Sequence, residues 1–157
     1  MTSSVIEKLS QNIQIAPELY YRLILIVGPA GSGKTKTLQA LRDHSGWPLV
    51  NVNLELSQRL LDLSEKQQAL RLPRLLDDLA REQTGDGVLL DNTELLFHPR
   101  FQQDPLRLLQ GLSRNRTIVA AWNGKIQDDY LIYAEPDHPE YRRYPVHVQD
   151  FQIISLL

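Results

Sequence analysis

Residues Gly28-Pro29-Ala30-Gly31-Ser32-Gly33-Lys34-Thr35 match the spacing G-x-x-x-x-G-K-[ST]. Glycine at positions 28, 31 and 33 permits backbone angles that a Cβ resists, so successive N–H groups can converge on one anion. A helix opening at Lys34 adds its unpaired N–H groups and the positive end of its dipole. Lys34 has the reach for β- and γ-phosphates, Thr35 offers a hydroxyl to Mg²⁺, and Lys36 completes the candidate binding stretch. The loop alone implies binding of a nucleoside triphosphate and no more; taken with the rest of the site, ATP is the expected ligand. A second candidate is Asp91, at the end of the apolar run Val88-Leu89-Leu90. An acid there has the form of a Walker B element and would hold Mg²⁺ directly or through water. The competing reading is a turn cap, since Asp-Asn-Thr is good turn chemistry. Hydrolysis further requires a group that orients and deprotonates water, usually a carboxylate. The nearest glutamate is Glu94, three residues beyond Asp91. It is the expected base, against the alternative of a solvated loop carboxylate.

These residues need elements to position them. Leu23 to Val27 is continuously apolar and mostly branched, as in a strand buried on both faces. Before it, residues 1–18 predict a helix with a capping box at Ser4-x-x-Glu7, ended near Ile15 by Pro17. After it, Lys34–Asp43 predicts a helix closed by Gly46. Pro48–Leu54 predicts a second strand and Ser57–Leu63 a short helix. Ser64-x-x-Gln67 is a further capping box. Leu72, Leu75, Leu76 and Leu79 give a helix opening near Pro73. Gly87–Asp91 and Thr117–Trp122 predict buried strands, the latter ending at Asn123-Gly124, with a helix from Asp104 to about Leu112 between them. Residues 125–145 lose the pattern. Tyr130–Ala134 reads as a short strand and Pro139–Arg143 as one helical turn. Val146–Leu157 carries two apolar phases, Val146/Val148 and then Phe151/Ile153, predicting a last strand with a bulge near Asp150.

Alternating strand and helix predicts a three-layer α/β P-loop NTPase fold, a mostly parallel sheet of about five strands covered on both faces. One domain is expected, with an N-terminal helix (1–18), a core (19–124) and an irregular segment with the last strand (125–157). Ligands of such sheets sit at the carboxyl ends of the strands. Arg114 and Arg116 precede a strand and therefore belong at the far end.

With 157 residues and no cysteine, the chain has no disulfide framework and no Cys-based metal or nucleophile chemistry. Net charge is −2, so charge does not indicate DNA or acidic membranes as a partner. The apolar runs are too short to span a bilayer, and the N-terminus lacks the order of a signal peptide, which makes the cytoplasm the expected location. His44, His98, His138 and His147 show no ligand spacing.

The motifs together resemble the AAA-plus ATPase core without its helical lid. The resemblance implies that Asn123, at the end of Ala-Ala-Trp-Asn, is a sensor residue touching the γ-phosphate or the attacking water; an Asn-Gly turn is the alternative. It implies that Arg142-Arg143, ahead of the last strand, supplies an arginine finger to the site of a neighbouring subunit; a solvated or phosphate-binding basic pair is the alternative. Glutamate usually follows the Walker B acid directly in such ATPases. Asn92 stands there instead and could orient water without taking its proton, giving slow turnover. More closely, Tyr20-Tyr21-Arg22-Leu23, Leu90-Asp91-Asn92-Thr93-Glu94-Leu95-Leu96-Phe97, Asp104–Gly124 and Tyr133–Tyr144 are similar to the BrxF family, the small P-loop proteins of type III BREX phage-defence systems. That resemblance implies a bacterial defence component working beside a larger ATPase and other system proteins. An oligomerising ATPase, a nucleotide-gated assembly subunit with little or no hydrolysis, and a small-molecule phosphotransferase remain open readings.

Overall fold

A computed structural model describes residues 2–146 and 150–156 of the chain. Five strands build its parallel sheet: β1 (Leu23–Gly28), β2 (Leu49–Asn51), β3 (Gly87–Asp91), β4 (Thr117–Gln127) and β7 (Gln152–Ser155), in the order β2-β3-β4-β1-β7. All of β1 and β3 is buried, as their unbroken apolar sequences require. Register is what matters for function. Gly28 stands opposite Asn123, and Asn51 opposite Asp91, so the phosphate loop and the candidate polar residues share one sheet edge.

Alternate residues of β1 face two cores. Leu23, Leu25 and Val27 join a core with α3 (Val52–Leu60), α4 (Glu65–Arg81) and α5 (Pro105–Leu112). Ile24 and Ile26 pack with Leu9 of α1 (Thr2–Ile15) and with Leu38 and Leu41 of α2 (Lys34–Ser45). Helices thus cover both faces. Among the described residues no helix is long and apolar enough to cross a membrane.

Several predicted boundaries shift, each for a local reason. α1 starts at Thr2, leaving Ser4 inside the helix rather than at its cap, and ends at Ile15 ahead of Pro17. β2 stops at Asn51 instead of reaching Leu54, because the Asn51 carboxamide accepts from Leu54 N–H (3.1 Å) and caps α3. α3 accordingly opens at Val52, earlier than the helix predicted from Ser57.

α4 opens at Glu65 with Ser64 as its cap, so Pro73 lies inside it. Proline has no N–H for the carbonyl four residues back. The Gln103 side chain supplies the missing donor, its Nε2 reaching Ala69 O at 3.1 Å. Gln103→Ala is expected to destabilise the fold by about 1 kcal/mol, the net worth of one part-buried hydrogen bond, with the loss read as a lower denaturant midpoint.

The segment beyond Asn123 differs most from expectation. β4 does not end at Asn123-Gly124 but runs on to Gln127, turns at Asp128 and Asp129 (φ +53° and +63°), and pairs antiparallel with β5 (Tyr130–Tyr133). Two successive left-handed residues are the signature of a tight hairpin whose twist matches its strands, and Asp tolerates that conformation. The helical turn predicted over Pro139–Arg143 is absent from that stretch; Arg142–Pro145 forms β6 and completes a meander with β5. The Val146/Val148 phase and the bulge predicted near Asp150 fall partly on residues 147–149, outside the described residues.

Candidate nucleotide site

The loop from Gly28 to Gly33 turns β1 into α2. Gly33 adopts φ +98°, a left-handed angle that an L side chain strains to reach. Gly28 is required for space instead, since a Cβ there would run into the Ser32 side chain. Lys34 is buried under the loop, with Nζ donating to Gly28 O and Pro29 O (2.7 Å each) and to Ser32 Oγ (3.4 Å). Burial lowers its pKa below the ordinary lysine value, while the charges of Glu94 and Asp91 pull it back up.

The open cleft above the loop has a volume of about 600 Å³ and is lined by residues 30–36 with Asp91, Asn92, Glu94 and Asn123. Gly28 and Pro29 stand behind it and hold Lys34. Lys36 lies at its exposed rim. Asp91 is nearly buried, and its Oδ2 accepts from Thr35 Oγ1 at 2.7 Å. Two hard oxygen donors therefore meet where β3 ends and α2 begins, and this fits Mg²⁺. Among the described residues no group of three or more His, Cys, Asp or Glu could hold a metal by itself.

Asn92 explains how Glu94 reaches the cleft despite its offset from Asp91. Asn92 adopts φ +53°, a left-handed angle tolerated by asparagine, and its N–H donates to Asp91 Oδ1 at 2.9 Å. The chain reverses there and enters a short 3₁₀ turn, Glu94–Phe97. Asn123 Nδ2 then donates to Glu94 Oε1 (2.7 Å), and Asn53 Nδ2 to Glu94 Oε2 (3.2 Å). A carboxylate with one amide on each oxygen is fixed in orientation and holds lone pairs for a proton.

Asn53 is the residue that reading the sequence missed. It is the second residue of α3, takes Leu95 N–H on its own Oδ1 (2.9 Å), and gives its backbone N–H to Asn92 O (2.9 Å). The signal was present: a residue just past the end of a parallel strand lies at the ligand edge. The sequence pattern hides it, because residues 48–54 read as strand to the end.

Arg142 and Arg143 do not line the cleft of their own chain. Arg142 Nη1 donates to Tyr141 O (2.9 Å), and the exposed Arg143 guanidinium stacks on Tyr130, 3.6 Å from the ring centre. Arg114 and Arg116 do lie at the far end of the sheet. Arg116 donates to Ala80 O and Gln83 O (2.7 Å each) and closes the end of α4, while Arg114 reaches Tyr20 OH. His98 and His138 each accept a local backbone N–H through Nδ1. His147 is outside the described residues.

No protein-family model matches the chain, and neither does any curated protein. Solved structures do. The structure of C. elegans PCH-2 superposes with a TM-score of 0.51 at 16% identity, covering 99% of this chain and 41% of that one. AMPPCP-bound DnaA from Aquifex aeolicus superposes with a TM-score of 0.48 at 18% identity, covering 98% of this chain and 44% of that one. The chain thus spans under half the length of either. At such identities the likeness is one of fold, and the fold is an α/β P-loop fold similar to AAA-plus ATPase domains.

Proposed function

We propose that the chain is a Mg-ATP-dependent ATPase of AAA-plus-like type. The observation that carries this reading is the convergence at one sheet edge of a phosphate loop, a Thr35–Asp91 oxygen pair and the doubly held Glu94. In this reading residues 28–36 bind the triphosphate, with Lys34 on the β- and γ-phosphates. Thr35 and Asp91 hold Mg²⁺, which when bound neutralises phosphate charge. Glu94 takes the proton of the attacking water. Asn123 orients Glu94 and contacts the γ-phosphate or the water. Arg142 or Arg143 acts on the site of a second copy, where a guanidinium stabilises charge in the transition state. Its support is negative: neither side chain reaches the cleft of its own chain.

The sequence resemblance to the BrxF family supports a wider role in a BREX-like phage-defence system, in the cytoplasm, beside a larger ATPase. DNA gains no support from charge, since Arg81 pairs with Asp77 and Arg74 with Asp78 on α4. A second reading, a nucleotide-gated assembly subunit that scarcely hydrolyses, is favoured by Asn92 standing directly after Asp91.

Shared sites make a specific demand. Turnover per chain is expected to rise with protein concentration until the oligomer is saturated. Phosphate release measured across a dilution series tests this, and a per-chain rate that stays constant down to nanomolar protein would contradict a site completed by a second copy.

A further inference from the structure

Beyond Asn123 the antiparallel meander does not line the cleft of its own chain, yet it reaches the residues that flank Glu94. Tyr133, on β5, stacks on Phe97 with ring centres 3.5 Å apart and planes 9° from parallel. Phe97 also meets Trp122 edge to face at 5.0 Å, and Trp122 lies 6.1 Å from Tyr133. Phe97 and Trp122 are fully buried and Tyr133 is 7% exposed. Trp122 Nε1 donates to Ile132 O (3.2 Å), tying the cluster to the backbone of β5.

The positions of these rings along the chain give the cluster its meaning. Phe97 closes the 3₁₀ turn that Glu94 opens. In a 3₁₀ helix, side chains at i and i+3 eclipse, so the ring and the carboxylate share one side of a single rigid turn. The front of the turn is already pinned, since Thr93 Oγ1 donates to Ala121 O at 2.8 Å. Trp122 immediately precedes Asn123, the donor to Glu94 Oε1. The aromatic cluster is therefore continuous through the backbone with the turn that carries Glu94 and with the strand that carries Asn123. The Tyr133 phenol is held well above its usual pKa, first by burial and then by the charges of Glu140 and Glu94.

We propose that Tyr133 is a positioning residue: through its stack on Phe97 and its contact with Trp122, strand β5 sets the placement of Glu94 and Asn123. The proposal rests on the ATPase reading of Glu94. Tyr133→Leu keeps an apolar side chain in the core but removes the flat surface on which Phe97 rests, and Tyr133→Phe restores that surface. Tyr133→Leu is expected to lower kcat by about a hundred-fold, the cost of a misplaced catalytic group, with KM changed by less than about two-fold. Tyr133→Phe is expected to keep kcat within about two-fold of the parent.

A second readout is independent of turnover. Trp47→Phe leaves Trp122 as the only tryptophan. In that background, adding Mg²⁺ with a slowly hydrolysed ATP analogue is expected to change Trp122 emission. Tyr133→Leu is expected to abolish that change while the analogue still binds, as scored by calorimetry. If turnover of the parent does not exceed that of Glu94→Gln, the ATPase reading fails, and the emission change alone judges the cluster. Equal kcat in Tyr133→Leu and the parent, or an emission change that survives Tyr133→Leu, would overturn the proposal. So would a Tyr133→Phe protein as slow as Tyr133→Leu.

Discussion

Replacing Glu94 by Gln is expected to leave Mg-ATP bound and to cut phosphate release by about a hundred-fold or more, the usual range for losing a general base. The geometry sets how the glutamine sits. Glu94 Oε1 and Oε2 each accept from an asparagine amide. A glutamine has one carbonyl oxygen, so its own NH₂ must face either Asn123 or Asn53. Asn53 cannot simply turn its carboxamide over, because its Oδ1 already takes Leu95 N–H. The glutamine oxygen therefore stays on Asn53 Nδ2 and its NH₂ faces Asn123, whose carboxamide turns over to accept it, so the side chain keeps its aim and loses its charge and basicity. Affinity for ATP is expected to hold or tighten, since a carboxylate is removed from beside the phosphates. Calorimetry and a phosphate-release assay on the same preparation separate the two effects, and wild-type turnover in Glu94→Gln would exclude Glu94 as the base.

Lys34→Met is expected to weaken ATP binding by about a hundred-fold, the worth of a charge-assisted contact of 2–3 kcal/mol. Methionine fills much of the same space without an ammonium, so the loss is one of charge and donors. The same group predicts a pH dependence. Burial lowers the Lys34 pKa in the free protein, whereas phosphates at its tip favour the protonated form. Binding therefore takes up a proton in the window between the two values. Affinity is expected to fall as pH rises through the depressed value of the free protein, below the ordinary 10.5. Titrations from neutral pH to about pH 10 read this directly, and an affinity flat across that range would show that Lys34 carries no such linkage.

The candidate site residues that lie on short-range patterns are legible in the sequence. Gly28–Thr35 sits on a turn whose strand and helix are both strongly periodic, and Val88–Asp91 is a buried strand with one acid at its end. Both elements form as predicted. What could not be read are features set by partners distant in sequence. Pro73 looked like a helix start because nothing local reveals that Gln103 supplies its missing donor. The strand after Pro48 looked longer because the alternation of PLVNVNL continues past Asn51, whereas the Asn51 cap turns the chain into α3. That misplaced end is what concealed Asn53. In the β4–β5–β6 meander Tyr130–Ala134 reads as a strand and contains β5, whereas the run of β4 through Asn-Gly to Gln127 and the strand Arg142–Pro145 carry no apolar alternation to announce them. The clasp of Asn53 and Asn123 on Glu94 joins residues 41 and 29 positions away in the chain, a spacing to which no local pattern points.

The most direct test of the central claim, that this sheet edge hydrolyses ATP rather than merely holding it, is a count of phosphates released per chain. Purified protein at saturating Mg-ATP, with no acceptor added, is expected to bind one nucleotide per chain and to release many phosphates for each chain present. Stoichiometric ATP binding with fewer than one phosphate released per chain would contradict it and leave the nucleotide-gated assembly subunit in its place.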